Sequence, residues 1–278
     1  MSLEPCDHFG KTPPCSDLIL KNKIPNVVIG CIDPFEKVAG ASIEKLKKNG
    51  CNVIVGILED ECIASNKRFF TFQNEKRPYI ILKWAETKDG FIDVERNIDA
   101  IKDAKPNWIS NTYSRQLVHK WRAEEDAILI GTNTAINDNP KLDIRNWSGK
   151  NPVRVVLDKS LRIPSNYDLF DETIQTIVMT EKKVNSKNNI LFEQIDFSNN
   201  VAQQIGSVLY NHNLQSVLVE GGKQTLQTFI DANLWDEARI FVGNTSFNKG
   251  VKAPIISGNE ISAENIQSDV LKIIKNLN

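Results

Sequence analysis

The chain has 278 residues with 34 Lys plus Arg against 35 Asp plus Glu, so no excess of either sign argues for nucleic acid or a charged membrane surface. No apolar run approaches the ~18 residues of a spanning helix. Met1 to Cys6 lacks the basic start and apolar centre of a signal peptide, which makes the cytoplasm the expected location. Five cysteines, an odd number, read as thiols or metal ligands rather than as a disulfide framework.

In chain order, the first feature is a loop, residues 2 to 15, that carries Cys6 and Cys15, each preceded by proline. Cys15 opens a helix expected over 16–23, and a helix N-terminus favours the thiolate that binds zinc. Spacing alone leaves free thiols as an open alternative. Residues 26–30 and 52–57 read as buried strands and 42–48 as an amphipathic helix closed by Asn49-Gly50. That alternation describes part of an α/β sandwich with a parallel sheet. Cys31, Cys51 and Cys62 sit in or beside apolar segments and read as core thiols. A helix is expected from about 60 to 70, and the polar stretch 71–78, ending at Pro78, reads as a domain join.

Residues 79–85 read as a strand followed by an Asp89-Gly90 turn. Asn107-Trp-Ile-Ser110 introduces a helix with Ser110 as the expected cap. On it Tyr113, Leu117 and Trp121 form the expected buried stripe, while Arg115, His119 and Arg122 share another face, for which a wet surface is the plain reading. Residues 126–134 read as a strand with a polar end and 135–145 as turn-rich. Strands follow at 152–157, 173–178 and 236–242, with a helix near 200–210. Between them Leu214-Gln-Ser-Val-Leu-Val-Glu-Gly-Gly222 reads as a strand covered on both faces, ending at Glu220 and leading into a helix from Lys223. Two residues without a Cβ let a ligand approach the backbone at the positive end of that helix, where phosphate binds well. A tight strand-to-helix turn explains the same residues.

Leu3-Glu-Pro-Cys-Asp-His-Phe-Gly-Lys-Thr-Pro-Pro-Cys15 resembles the zinc loop of the bifunctional riboflavin-biosynthesis deaminase-reductase family, of the cytidine-deaminase-like group. Leu82-Lys-Trp-Ala, Asp89-Gly90, Trp108-Ile-Ser, Trp121-Arg-Ala-Glu, Ile130-Gly-Thr-Asn-Thr, Asp138-Asn-Pro-Lys-Leu, Val155-Val-Leu-Asp158, Val219-Glu-Gly-Gly222 and Leu234-Trp-Asp-Glu237 resemble its reductase half, in the family's order and spacing. The resemblance implies an α/β chain: a partial cytidine-deaminase-like sandwich over 1–74 and a dihydrofolate-reductase-like domain over 75–278. It implies Cys6 and Cys15 as zinc ligands. The family's third ligand lies in an upstream His-Ala-Glu motif, and none of His8, His119 and His212 is followed two residues later by Glu. Catalytic zinc needs three protein ligands and a separate acid/base group. The expectation is a chain without deaminase activity of its own, either truncated or completed by another polypeptide.

For the second domain the resemblance implies reduction of a phosphorylated ribosylamino-pyrimidine by hydride from NADPH, in a homodimer. Glu86, Trp108, Thr134, Asp138 and the segment Gly222, Lys223, Gln224, Thr225 to Thr228 match cofactor contacts. Arg122, Leu142, Arg145 and Glu220 match substrate contacts, the arginines toward phosphate. Lys83 and Glu220 are the candidate catalytic pair, Lys83 as the cation and Glu220 as acceptor of a sugar hydroxyl; the proton donor stays open. Glu86 stands where the family has a small residue, so a backbone contact is expected there. Past Pro254 the resemblance fades, although 269–278 stands where the family closes its sheet. Two other readings are a deaminase completed in trans and a nucleotide-binding or assembly subunit without turnover.

Overall fold

The computed structural model describes residues 1–10, 12–35, 39–96 and 105–277 and divides into two compact units, Met1–Arg77 and Pro78–Asn278. In the first unit α1 (Cys15–Lys21), β1 (Asn26–Ile29), α2 (Ala41–Lys48) and β2 (Asn52–Val55) alternate, and β1 pairs with β2 in parallel from Asn26 opposite Asn52 to Ile29 opposite Val55. Ile19, Val27, Ile29, Ile43, Leu46 and Cys51 form its core. The two strands are not buried throughout, as their sequence suggested: Val28 and Ile54 point away from α1 and α2 and stay exposed. Cys31 and Cys51 are buried, whereas Cys62 is only half-buried.

The single helix expected near 60–70 is two helices, α3 (Glu59–Ser65) and α4 (Lys67–Glu75). Asn66 ends the first by turning its side-chain amide back onto the Cys62 carbonyl at 2.8 Å, a local bond that competes with continued helix. The polar stretch expected as a join is therefore helical through Glu75.

The second unit is built on a nine-stranded sheet. Its strands are β3 (Tyr79–Thr87), β5 (Ala127–Gly131), β6 (Val153–Leu157), β7 (Thr176–Thr180), β8 (Ile190–Gln194), β9 (Ser216–Val219), β10 (Glu237–Gly243), β12 (Asn259–Ile266) and β13 (Asp269–Lys275). A small antiparallel pair, β4 (Phe91–Asp93) and β11 (Val251–Lys252), stands apart. The order across the large sheet is β12-β13-β10-β3-β9-β5-β6-β7-β8, parallel from β10 to β8, with β13 and β12 antiparallel at one edge. The central strands are continuous apolar runs because both faces are covered. One face packs Ile80, Leu82, Leu129, Val217 and Val219 against α7 (Val201–Asn211) and α8 (Lys223–Asp231). The other packs Tyr79, Ile81, Leu218 and Phe241 against Val118 and Trp121 of α5 (Thr112–Glu124).

Helix α5 is capped by Asn111, whose side chain accepts from the Ser114 amide at 3.0 Å, so Ser110 is not the cap. Its buried residues are Ser114, Val118, His119 and Trp121, while Tyr113 faces solvent. The stripe runs one residue later than hydrophobicity suggested because Ser114 donates to Asp269 at 2.6 Å and is thereby satisfied in the interior. Residues 132–138, expected as the polar end of a strand and the start of a turn, form a short helix α6 (Thr132–Asp138) ended by Asn139 in the left-handed region. Among the described residues no helix is long and apolar enough to cross a membrane.

Candidate active site

Strand β9 lies between β3 and β5, and the chain leaves it through Gly221-Gly222 into α8 while β5 turns at Gly131 into α6. The carboxyl ends of β3, β9 and β5 thus share one rim, the position where open parallel sheets bind ligands. The last paired residues of β3 and β9 are Leu82 and Val219, so Lys83 and Glu220 follow side by side on the face covered by α5.

Glu220 accepts from Arg122 Nε and Nη2, both at 2.8 Å, in a two-pronged pair, and Lys83 Nζ lies 3.6 Å from its Oε2. The side chains are 8% exposed for Glu220, 12% for Arg122 and 15% for Lys83. Burial alone would raise the Glu220 carboxyl; Arg122 and Lys83 outweigh it and hold the group at about 2. Burial lowers the Lys83 ammonium, with Glu220 opposing. The result is a buried carboxylate shared by two cations, one of them held less tightly protonated than an ordinary lysine.

Arg122 also donates from Nη1 to the Asp143 carbonyl at 3.1 Å, and His119 Nδ1 meets that same oxygen at 3.0 Å. Asp143 belongs to the segment with Leu142, buried and left-handed at φ 50°, and Arg145, whose half-exposed guanidinium pairs with the Asp143 carboxylate. Arg122, Leu142, Arg145 and Glu220 are thereby linked through a single residue.

The two glycines serve different needs. A Cβ on Gly221 would lie 2.7 to 2.8 Å from Ile130 Cβ and Cα, so its small size is required by the neighbouring strand. Gly222 has φ 67°, and a Cβ there would stand 3.0 Å from Thr134 Oγ1. The close approach expected for a ligand is in part a close approach of protein. Gly222 carries no side-chain cap for α8, whose first turn holds Lys223, Gln224 and Thr225, and Thr225 packs on Gly131. Thr134 and the start of α8 therefore meet.

Asp138 ends α6. Arg96 Nη2 forms an ion pair with Asp138 Oδ1 at 3.0 Å, and among the described residues that buried oxygen has no well-directed hydrogen-bond partner. Burial raises the Asp138 carboxyl to about 6, against the opposing pull of Arg96. Glu86 lies on the sheet face opposite Lys83 and accepts from Trp84 Nε1 at 2.7 Å, so its side chain is already engaged. Trp108 is exposed, with the Arg115 guanidinium 4.6 Å above its ring.

In the first unit the Cys15 amide donates to Cys6 Sγ at 3.3 Å, which brings the two thiols together. Among the described residues no group of three or more His, Cys, Asp or Glu side chains could hold a metal ion. Two thiols fall short of a catalytic zinc site.

Sequence reasoning did not select His119, Asp143 or Arg96. For His119 a signal existed, since it stands three residues before Arg122 on the same helix face. For Asp143 the functional atom is a backbone carbonyl, which no residue type reveals.

A family model described as the RibD C-terminal domain matches residues 78–272. The riboflavin biosynthesis protein RibD of Aquifex aeolicus is 36% identical over 257 residues, covering 90% of this chain and 70% of that protein. The chain belongs to the RibD family. RibD of Synechocystis is 36% identical over 228 residues, covering 80% of this chain and 60% of its own length. Among solved structures, the diaminohydroxyphosphoribosylaminopyrimidine deaminase/5-amino-6-(5-phosphoribosylamino)uracil reductase of Thermotoga maritima superposes with a TM-score of 0.86 at 34% identity, covering 99% of this chain and 78% of that one. The riboflavin biosynthesis reductase of Saccharomyces shares the fold at a TM-score of 0.57 and 16% identity, over 76% of this chain and 98% of its own. The second unit is a RibD C-terminal domain, the reductase half of the riboflavin-biosynthesis family, with the α/β architecture expected for it.

Proposed function

We propose that this chain reduces the ribosyl group of 5-amino-6-(5-phosphoribosylamino)uracil to the ribityl form with NADPH. One observation carries the reading: Lys83, Arg122 and Glu220 form a buried charge cluster on the sheet rim, directly before the glycine pair that opens α8. The residues fit a nicotinamide dinucleotide. Gly222 leaves backbone free of a Cβ beside Thr134, and Asp138 Oδ1, ion-paired with Arg96, has hydrogen-bonding capacity left among the described residues. Glu86, Trp108, Thr134, Asp138, Gly222, Lys223, Gln224 and Thr225 would hold the cofactor, which supplies hydride when bound.

Each residue of the cluster then has a task. Glu220, ionised across the physiological range, accepts a hydrogen bond from a sugar hydroxyl and orients the reacting carbon. Lys83 is the cation beside charge that develops as the sugar is reduced, and burial makes its proton easier to release. Arg122 holds Glu220 and, with Arg145, faces the substrate phosphate. Leu142, whose side chain is packed into the core with Ile128, Ile130 and Val156, would meet the substrate only through its backbone. A homodimer built through the reductase domain belongs to the same reading, and sedimentation tests it.

Cys6 and Cys15 match the family's zinc thiolates, but the described residues provide no third ligand, and two thiols by themselves do not supply a deamination step. The decisive experiment follows NADPH oxidation with the deaminated pyrimidine substrate for wild type and Glu220→Gln. Turnover by wild type that Glu220→Gln leaves intact would remove Glu220 from the mechanism, and no turnover by wild type would end the reading.

A further inference from the structure

Helix α5 buries an imidazole that the proposed reduction does not use. His119 is 5% exposed, and its Nδ1 lies 3.0 Å from the Asp143 carbonyl oxygen. A carbonyl only accepts, so Nδ1 carries the hydrogen and donates. The groups around the ring are Arg122 from its own helix, Asp143 and Arg145 from the loop after α6, and Glu220 from the end of β9. Burial, then Arg122 and Arg145, lower the imidazole below its ordinary value of 6.5, consistent with a neutral ring between two guanidiniums.

The loop that receives this bond is held in an uncommon shape. Asn139 and Leu142 have φ of 38° and 50°, in the left-handed region that side chains with a Cβ seldom occupy. Such backbone persists where its surroundings over-determine it. Here Leu142 is buried among Ile128, Ile130 and Val156, the Ile144 amide donates to Asn151 Oδ1 at 3.0 Å, and the Asp143 carbonyl takes both His119 and Arg122. Arg122 divides its guanidinium, with Nη1 on the loop carbonyl and Nε and Nη2 on Glu220, whereas His119 Nδ1 serves the loop.

We propose that His119 is a positioning residue, which donates from Nδ1 to the Asp143 carbonyl and so fixes the loop, anchored in the core by Leu142, that presents Arg145 to the phosphorylated end of the substrate. The substrate half of this proposal rests on the reductase reading; the loop half does not. Loss of the donor would loosen the phosphate end while leaving Lys83 and Glu220 in place, and so would raise KM more than it lowers kcat.

The test uses the whole chain. His119→Asn keeps an N–H near the Nδ1 position, and His119→Leu removes it. Amide hydrogen exchange over 139–147 is read by mass spectrometry without substrate, and KM and kcat are read with phosphorylated and dephosphorylated pyrimidine substrates. For His119→Leu the loop exchanges faster by about tenfold, and KM for the phosphorylated substrate rises about tenfold with kcat within about threefold. The dephosphorylated substrate changes less than about twofold, and His119→Asn stays close to wild type. Wild-type exchange and KM in His119→Leu would overturn the proposal, as would equal defects in both variants. Nitrogen NMR of wild type needs no variant to fold: it should show hydrogen on Nδ1, and hydrogen on Nε2 alone would overturn it. Absent turnover in wild type would instead overturn the reductase reading, with exchange and NMR still deciding what His119 does.

Discussion

Glu220→Gln is the substitution with the largest consequence that the structure allows to be worked out. The glutamine keeps one oxygen acceptor near the same place and removes the charge, which leaves Arg122 and Lys83 as two buried cations facing an amide. The lost contacts are two at 2.8 Å to Arg122 and one at 3.6 Å to Lys83, all among side chains no more than 15% exposed. The Glu220 carboxyl stands at about 2 against an ordinary 4.5, with burial opposing and the two cations prevailing. Such a depression is worth about 3 kcal/mol. Removing one partner of a buried pair costs roughly 3–5 kcal/mol in other proteins, so the two routes converge.

Urea denaturation of wild type and variant at pH 7 should therefore differ by about 3 kcal/mol. Because the folded carboxyl titrates below the unfolded one, its contribution is complete above the ordinary range near 4.5 and disappears as pH falls through about 2. The gap between the proteins should be flat from neutral pH down to that range and should narrow in acid. A gap below about 1 kcal/mol at pH 7, or one that widens on acidification, would refute the charge-balance reasoning. In the same preparation kcat/KM for the reduction should fall by roughly a hundredfold if Glu220 also orients the sugar.

Gly221→Ala and Gly222→Ala should separate packing from backbone conformation. The first drives a Cβ into the Ile130 backbone and should lower stability by about 1–3 kcal/mol or more, whereas the second has room beside a Thr134 hydroxyl that can rotate but puts a Cβ on a backbone at φ 67°, and should cost about 1–3 kcal/mol through strain while also weakening NADPH binding, measured by titration. Asp138→Asn should stabilise the fold at pH 7 by about 3 kcal/mol. The folded carboxyl is held up at about 6, so wild-type stability is complete below the ordinary carboxylate range and declines as pH rises through about 6; unfolding at pH 4 and pH 7 should show this decline in wild type and not in the variant. Asn111→Ala removes the cap of α5 and two further bonds to Ile266 and Ser268, and should cost about 1–2 kcal/mol in urea unfolding with KM unchanged.

The strands readable from sequence are those whose surroundings impose a pattern. β3, β5, β6, β7, β9 and β10 lie inside the sheet with helices on both faces, and their apolar runs follow from that burial. β8 and β12 were not foreseen, and they are the two outermost strands of the sheet. β12 is mostly exposed and shifts register between Glu260 and Ser262, so neither apolar alternation nor a regular period marks Asn259–Ile266. β1 and β2 failed in the opposite sense: Val28 and Ile54 are apolar but exposed, so their hydrophobicity overstated their burial.

The site divides along similar lines. Glu220 and the glycines could be placed because a strand end followed by glycine and a helix is a local pattern; Lys83 came from the family resemblance, and its place beside Glu220 needs the register of β3 on β9. The link from Arg122 to Arg145 could not be read, since it passes through the Asp143 carbonyl and needs Leu142 in a left-handed conformation. His119 looked like one of three surface cations on α5 because polarity alone assigns histidine to water. Its burial depends on a backbone oxygen supplied by a loop 24 residues later, a partner that exists only after β5, α6 and α5 have met. Side chains bonded to distant main-chain atoms are thus the part of this site that sequence conceals, and they set how firmly the half-exposed Arg145 is held. Variants at His119 and Asn111 both disturb α5, but only the first reaches the Asp143 loop, so a rise in KM confined to His119→Leu would locate the control of Arg145 in that single carbonyl rather than in the helix as a whole.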